Sequence, residues 1–514
     1  MKKNFIFDDT RVIYTGKAIL IGIITGFVIS LFRLIIEHFI EYVKITYVFL
    51  QNKPQWIFLW ILGSIGIAFF VGHLLKNESD IKGSGVPQVE GQLQGEIQCN
   101  WWSILWKKFI GGIASMSPGL FLGMEGPSIQ LGAAVGQGVN EFFKGKKTEE
   151  KILISSGASA GLAAAFNAPI TGLVFVLEEL HHNFSPLILV TSLASAITAN
   201  FISLNFFGLK PVLYLGEVNP FPINGYGYLI LLGIFLGFLG LIYSKVLLTL
   251  PSIYGKLSFL PSYLYGLIPF LLVIPIGFLF PELLGAGNEI VFSIAKSSPG
   301  LVVLIGLFLL RFVFSMVSCG ANLPGGIFIP ILSLGGILGC IYGNLIINIS
   351  GANSIYILSF IMYGMAGYFT AISKVPLTAM LLVTEMVGSL NHLMPLAVVS
   401  FVSYIVVDLA GAEPIYEALL ENMVEKKSKI LKGKSEMIEI PVGAESILDG
   451  KMIREVNWPS EALIISIRRG AKQIIAHGDT VMHVGDCLIV LTDEGVTNQV
   501  RQQIKHMGKD YIAS

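Results

Sequence analysis

Charge is scarce in this 514-residue chain: Asp, Glu, Lys and Arg together make up 13% of it. A soluble domain carries about a quarter, so the composition excludes an ordinary soluble protein and implies a polytopic membrane protein. Neither sign prevails, with 34 basic residues against 34 acidic ones, which leaves no basic excess for a nucleic-acid partner. Cysteine is sparse as well. Cys99, Cys319, Cys340 and Cys487 form no C-x-x-C pair, which excludes a zinc cluster and a disulfide framework. The opening "MKKNFIFDDTRVIYTGK" lacks a short apolar core followed by small residues, so a cleaved signal peptide is not expected.

What the chain does have is apolar runs. Ala18–Ile36, Ile57–Leu75, Pro186–Phe207, Tyr228–Leu248, Tyr263–Phe280, Leu301–Val317 and Leu393–Ala410 each approach the ~20 residues that span a bilayer. Phe109–Leu122, Pro127–Phe143, Ile152–Leu180, Gly326–Ile349 and Ile355–Glu385 are cut by glycine or proline. These are expected to be broken helices, tolerated where protein or a water-filled cavity satisfies their backbone. Lys2, Lys3, Arg11 and Lys17 precede the first run, and "EKKSKILKGK" (Glu425–Lys434) follows the last. The positive-inside rule then puts both termini in the cytoplasm of a multi-pass cell-membrane protein.

The broken runs repeat. "PSIQLGAAVG" (Pro127–Gly136) and "PILSLGGILG" (Pro330–Gly339) share P-x-x-x-L-G-x-x-x-G at an offset of 330 − 127 = 203. "NAPITGLVFVLEE" (Asn167–Glu179) matches "KVPLTAMLLVTEM" (Lys374–Met386) at 376 − 169 = 207, pairing Pro169 with Pro376 and Glu178 with Glu385. Two patterns in one order at nearly one offset argue for two related halves. Interrupted segments at matching places point to a transporter's binding site.

Four elements carry chemistry: "GSGVP" (Gly83–Pro87), "GMEGP" (Gly123–Pro127), "GGIFIP" (Gly325–Pro330) and "GAEPIYEAL" (Gly411–Leu419). The first three look like helix starts after tight glycine turns. Such starts expose unpaired N–H groups and partial positive charge, and several converging make an anion site. Glu125 sits inside one of them. A carboxylate within an apolar segment is expensive and is a functional candidate by default.

At these residues the sequence resembles the CLC family of chloride channels and chloride/proton exchangers. "GSGVPQ", "GMEGPSIQLGA" and "GGIFIPILSLG" are similar to that family's GSGIP, GREGP and GIFxP elements, and "AAAFNAPITGLVFVLEEL" (Ala163–Leu180) matches as well. The resemblance implies an all-α membrane fold of two inverted repeats with broken helices, usually a homodimer with one pore per subunit. It implies that Ser84 and Tyr416 offer hydroxyls to a central anion, and that Gly85, Gly126 and the amides of Ile327 and Phe328 line the same site. Glu125 would be the gate that competes with chloride until protonated, and Glu179 the inner proton-transfer acid that favours exchange over channel behaviour. Chloride would be bound as substrate, with no cofactor, no metal and no enzymatic activity. Met124 departs from the family arginine, and Lys108 is the candidate to replace its charge. Ser84, where nitrate carriers tend to have proline, favours chloride.

From Met437 the pattern changes. "MIEIPV", "ALIISIRR", "KQIIAH" and "CLIVLT" read as strands, and "ESILDGKMIREV" and "EGVTNQVRQQI" as helices. The expected layout is a transport domain over 1–424, a basic linker over 425–436 and a small cytoplasmic α+β domain over 437–514. "HGDTVMHVGDCLIVL" (His477–Leu491) resembles the C-terminal subdomain of RCK-type regulators, the TrkA-C type. That resemblance implies pairing of copies and a small-nucleotide ligand. Beside a membrane sensor with the tail as its output, which lacks any catalytic or nucleic-acid-binding signature there, two rival readings remain. One is a passive voltage- or pH-gated chloride channel of the same fold. The other is a metalloenzyme built on "EELHH" (Glu178–His182), but it lacks the H-E-x-x-H order and any second ligand cluster.

Overall fold

In the computed structural model the described residues are 9–182, 184–209, 211–214, 216, 218–297, 299–350, 353–428, 435–443, 446–470, 472–493 and 496–509. Most of the lysine-rich linker therefore lies outside the described residues, as do Lys2 and Lys3. The chain forms two compact units. One runs to Val89 and from Cys99 to Tyr416; the other comprises Glu90–Gln98 and the residues from Glu417 onward.

The first unit is helical: α1 (Asp9–Asn52), α2 (Ile57–Asn77), α3 (Val86–Gln94, which crosses into the second unit), α4 (Trp101–Met116), α5 (Glu125–Phe142), α6 (Lys147–Phe166) and α7 (Pro169–Phe175). A π-helical turn, Val176–Leu180, prolongs α7. There follow α8 (Pro186–Phe207), α9 (Tyr226–Gly255), α10 (Leu267–Leu279), α11 (Asn288–Ser297), α12 (Leu301–Gly320), α13 (Phe328–Ser350), α14 (Ile357–Ser373), α15 (Pro376–Val387), α16 (Leu393–Leu409) and α17 (Ile415–Ser428), which passes into the second unit after Tyr416. Among the described residues nine helical segments are long and apolar enough to cross a membrane. They divide by burial. The apolar window of α2 is 28% buried, whereas those containing α13 and α14 are 78% and 83% buried. Hence α2 offers Phe58, Leu59 and Phe69 outward, as a lipid-facing helix does, and α13 and α14 form the interior.

One expectation fails here. The glycines of Gly326–Ile349 and Ile355–Glu385 do not all break helices: α13 and α14 run unbroken for 23 and 17 residues. Their role is close approach. A methyl at Gly339 would overlap the Phe360 carbonyl, and one at Gly335 the Gly364 carbonyl. The first half repeats this contact between α5 and α6, where Gly132 meets the Gly157 carbonyl and Gly136 that of Leu153. The glycine motif that recurs at offset 203 is thus a helix-packing seam of small residues. α1 also differs from expectation, at 44 residues, because its polar ends continue the helix beyond the apolar window.

The two halves meet through equivalent residues. Gly123 N–H donates to Gly326 O at 2.7 Å and Gly326 N–H to Gly123 O at 2.6 Å. Glu178 accepts from Leu377 N–H, Thr378 N–H and the Thr378 hydroxyl at 3.0, 2.7 and 2.7 Å. Its counterpart Glu385 accepts from Ile170 N–H, Thr171 N–H and the Thr171 hydroxyl at 3.1, 2.8 and 2.6 Å. Each acid caps the start of the other half's helix, α15 or α7, and satisfies amides that a helix leaves orphaned. Both carboxylate oxygens of Glu178 are taken up in this way, which argues against its use as a metal ligand.

The second unit has a four-stranded antiparallel sheet of order β1-β4-β2-β3, from β1 (Ser435–Pro441), β2 (Leu463–Arg469), β3 (Lys472–Ile475) and β4 (Asp486–Asp493), with α18 (Thr497–Lys509) on it. Its core gathers Ile438, Ile440, Ile464, Ile467, Leu488, Val490 and Ile504. The helix expected in "ESILDGKMIREV" is not formed. Among its described residues there are turns and a short 3-10 turn, Ile453–Glu455. Gly450 takes φ 75° and Met452 bridges Val481, so pairing with the "HGDTVMHVGD" loop prevails over local helix propensity.

That loop is anchored by Asp486, whose side chain is 1% exposed. It accepts from Arg469 Nε and Nη2, each at 2.7 Å, and from His483 N–H at 2.8 Å. Burial pushes this carboxyl up, but the Arg469 bonds, the His483 amide and the Arg469 charge outweigh it and hold it below the ordinary value. A depressed folded value means stability that is present above the unfolded pKa, about 3.9, and lost as pH falls through the folded one. Protection of the β2 and β4 amides in the full-length protein, taken relative to the intrinsic exchange rate at each pH, should therefore fall below about pH 4. Asp486→Asn should lower that protection at neutral pH, by about 1–3 kcal/mol of local stability, and flatten the acid dependence. An acid profile identical to the parent's would remove Asp486 as the anchor.

Candidate anion and proton site

The Gly123–Gly326 bridge sets the site. Two residues beyond it on each strand, α5 begins at Glu125 and α13 at Phe328. Two helix N-termini, each equivalent to about +0.5 of a charge, are thereby fixed side by side. A third segment is stitched onto them. Gly83 N–H donates to Asn322 O at 3.3 Å, and Gly325 N–H to Gly83 O at 3.1 Å. Gly126 abuts Ser84 so closely that a Cβ there would lie 2.7 Å from the Ser84 carbonyl. Glycine at 126 is what admits the serine. Gly85, at φ 93°, turns the chain from Ser84 into α3.

The Ser84 loop is held from behind by its carbonyls. Lys108, fully buried on α4, donates Nζ to Ile81 O at 2.9 Å and Gly83 O at 2.8 Å. Gln88 binds Lys82 O at 2.7 Å, and Gln130 binds Asp80 O at 2.8 Å. The carbonyls of Asp80, Ile81, Lys82 and Gly83 are thereby all engaged. Ser84 Oγ accepts from Val86 N–H at 3.3 Å, so its own proton stays available. The amine of Lys108 is spent on this loop, so Lys108 buttresses Ser84 and does not take up the place beside Glu125 left by Met124.

Glu125 is fully buried. Among the described residues no donor meets either of its oxygens in full hydrogen-bonding geometry, although its own amide and that of Ile329 lie close enough to stabilise its charge. A buried carboxylate without hydrogen bonds is costly, and the helix ends in front of it are its compensation. Tyr416, at the start of α17 and also buried, lies within electrostatic reach of Glu179, Glu125 and Cys319. Glu179 is buried in the π-helical turn, a distortion frequent at functional sites. The Phe328 ring packs on Phe369 at 4.2 Å, Phe166 at 5.5 Å and Phe175 at 6.0 Å; Ile327 is buried beside it.

Sequence reasoning missed two groups. Tyr243 on α9 and Tyr368 on α14 are fully buried, with hydroxyls that find no partner among the described residues, and Tyr243 lies within electrostatic reach of Tyr416. Single tyrosines in apolar runs give no signal. Arg33 on α1 is the other, and there a signal existed: one arginine within the run Ala18–Ile36.

The sequence profile of voltage-gated chloride channels matches residues 66–408, and that of the TrkA-C domain matches 437–505. The H(+)/Cl(-) exchange transporter ClcA of Vibrio cholerae serotype O1 (strain M66-2) is 30% identical over 434 residues, 82% of this chain and 92% of its own. The ClcA of Yersinia pestis bv. Antiqua is 28% identical over 439 residues, 82% of this chain and 90% of its own. Among solved structures, a slow cyanobacterial Cl-/H+ antiporter superposes with TM-score 0.77 at 28% identity, covering 80% of this chain and 98% of that one. A CLC-type fluoride/proton antiporter gives 0.63 at 22% identity, covering 77% and 95%. With the paired helix starts, the duplicated halves and these matches together, the chain belongs to the CLC family of voltage-gated chloride channels and exchangers, and it carries a TrkA-C domain.

Proposed function

We propose that the protein is a secondary transporter exchanging chloride for protons across the cell membrane. The observation that carries this reading is Glu125: a fully buried carboxylate at the start of one helix, beside the start of its repeat counterpart, with no side chain among the described residues bonded to it. Chloride and the carboxylate compete for the same donors. Protonation neutralises Glu125, frees the position and links the two ions. Ser84, Gly85, Gly126, Ile327, Phe328 and Tyr416 line the anion position, and Glu179 passes protons to and from the opposite side. Two copies form a dimer with one pathway each, both termini lie in the cytoplasm, and the TrkA-C domain regulates by binding a small nucleotide. The relatives named as H(+)/Cl(-) exchangers favour this over a passive channel.

The test is a proton gradient imposed across liposomes holding the purified protein. It should drive radiolabelled chloride to a concentration above that outside. Equilibration without accumulation would make the protein a channel, and accumulation of fluoride with exclusion of chloride would reassign its anion.

Ser84 sets anion choice in this account, since its hydroxyl gives one directional bond to a partly dehydrated anion and proline gives none. Ser84→Pro should raise nitrate flux relative to chloride by roughly 10-fold, the scale of one hydrogen bond to a charged group. Unchanged selectivity would take Ser84 out of the site.

A further inference from the structure

The family element resembled by "GMEGP" has an arginine where this chain has Met124, which is buried in an apolar cluster with Phe32, Leu122 and Ala165. Lys108 does not replace it. A different cation stands at the edge of that cluster. Arg33 on α1 is 8% exposed, its guanidinium lies 3.9 Å from the Phe207 ring centroid, and Nη1 donates to Ala165 O at 3.4 Å.

Ala165 belongs to the last turn of α6, whose terminal carbonyls need partners. Ala163 O accepts from the Asn167 and Ala168 amides and Ala164 O from the Ser203 hydroxyl, so Ala165 O falls to Arg33. One turn earlier, Gly161 packs against the carbonyl of Ser128, in the first turn of the helix that Glu125 begins. One residue later, Phe166 meets Phe328. The guanidinium thus sits at the end of a helix that touches the starts of both α5 and α13. Its partner Glu37, bound through Nε at 2.7 Å, is half-exposed, so solvent screens that acid more than the buried guanidinium.

We propose that Arg33 supplies, from α1, the fixed positive charge beside the gate that position 124 lacks, and so acts as a positioning residue that favours an anion, chloride or carboxylate, at the Glu125 position. This rests on the anion-site reading above. It also explains how a chain with methionine in this element can still hold chloride there.

The experiment uses the full-length protein in liposomes and reads the chloride concentration that half-saturates flux. Arg33→Gln removes the charge and, being shorter, also gives up the bond to Ala165 O, so the Met124→Arg combination is what separates charge from capping. Arg33→Gln alone should raise that concentration roughly 10-fold, the scale of one charge acting at an effective dielectric near 20. Arg33→Lys should raise it by less than about 3-fold on the same scale. Arg33→Gln combined with Met124→Arg should return it most of the way to the parent value. Parent-like half-saturation in Arg33→Gln would overturn the proposal. So would a loss in Arg33→Gln that Met124→Arg does not restore, since that result assigns Arg33 to capping α6 alone. If the exchanger reading itself is wrong, the unaltered protein fails to couple protons at all, and that failure is visible without any Arg33 variant.

Discussion

Glu125→Gln is expected to move chloride freely while moving no protons. Glutamine nearly matches the shape of the protonated acid but cannot ionise, so at this buried position it holds the gate permanently in its neutral form. Chloride no longer competes with a carboxylate for the starts of α5 and α13, and no group remains there to take up or release a proton. Chloride flux should persist and lose its dependence on external pH, and proton flux should fall to that of empty liposomes. Glu179→Gln gives the informative contrast. Glu179 belongs to the π-helical turn after α7 and not to the start of α5, so its loss should abolish proton flux while external pH still governs chloride entry. A Glu125→Gln protein that still moved protons uphill would reduce Glu125 to a structural acid.

The second large effect is on stability, at the reciprocal caps. Glu178→Ala strands the amides of Leu377 and Thr378 and the Thr378 hydroxyl; Glu385→Ala strands those of Ile170 and Thr171 and the Thr171 hydroxyl. A fully buried donor left without an acceptor costs about 1–3 kcal/mol, but these are part-buried and the Ile170 amide is exposed, so water recovers much of that and each variant should lose roughly 1–3 kcal/mol. The bond lengths at the two sites agree within 0.1 Å, so the two losses should be similar. The glutamine variants, which keep one acceptor oxygen, should fall between alanine and the parent. Thermal unfolding in detergent measures this. A neutral result at one site beside collapse at the other would show that the symmetry of the caps is geometric and not energetic.

These caps also show where reading the sequence reaches its limit. The pairing of Glu178 with Glu385 was legible as a repeat, but not as a contact, because each acid's partners lie about 200 residues away, in the other half. The P-x-x-x-L-G-x-x-x-G pattern was likewise legible, and its glycines were read as helix breaks. Gly335 and Gly339 instead admit the backbone of α14, and nothing local distinguishes a glycine that ends a helix from one that lets a neighbour approach. The helix starts at Glu125 and Phe328 could be anticipated from the turns before them, and the apolar runs from their length. The bridge between Gly123 and Gly326, which sets those starts side by side, could not. In the TrkA-C domain the four strands were legible from their alternation. "ESILDGKMIREV" was misread because Met452 pairs with Val481, a partner beyond the reach of local propensity. Lys108 was considered as a charge beside the gate and is a clamp on carbonyls. Arg33 was visible as a charge in an apolar run, but only the fold connects it to Glu125.

The most direct test of the account is a chloride gradient across liposomes containing the purified, unaltered protein, at equal pH on both sides and with no other driving force. Chloride running down its gradient should draw protons against theirs, shifting the internal pH, and a protonophore should abolish the shift. Chloride flowing at a measurable rate while the internal pH stays constant would contradict coupled exchange and leave a passive chloride pathway in its place.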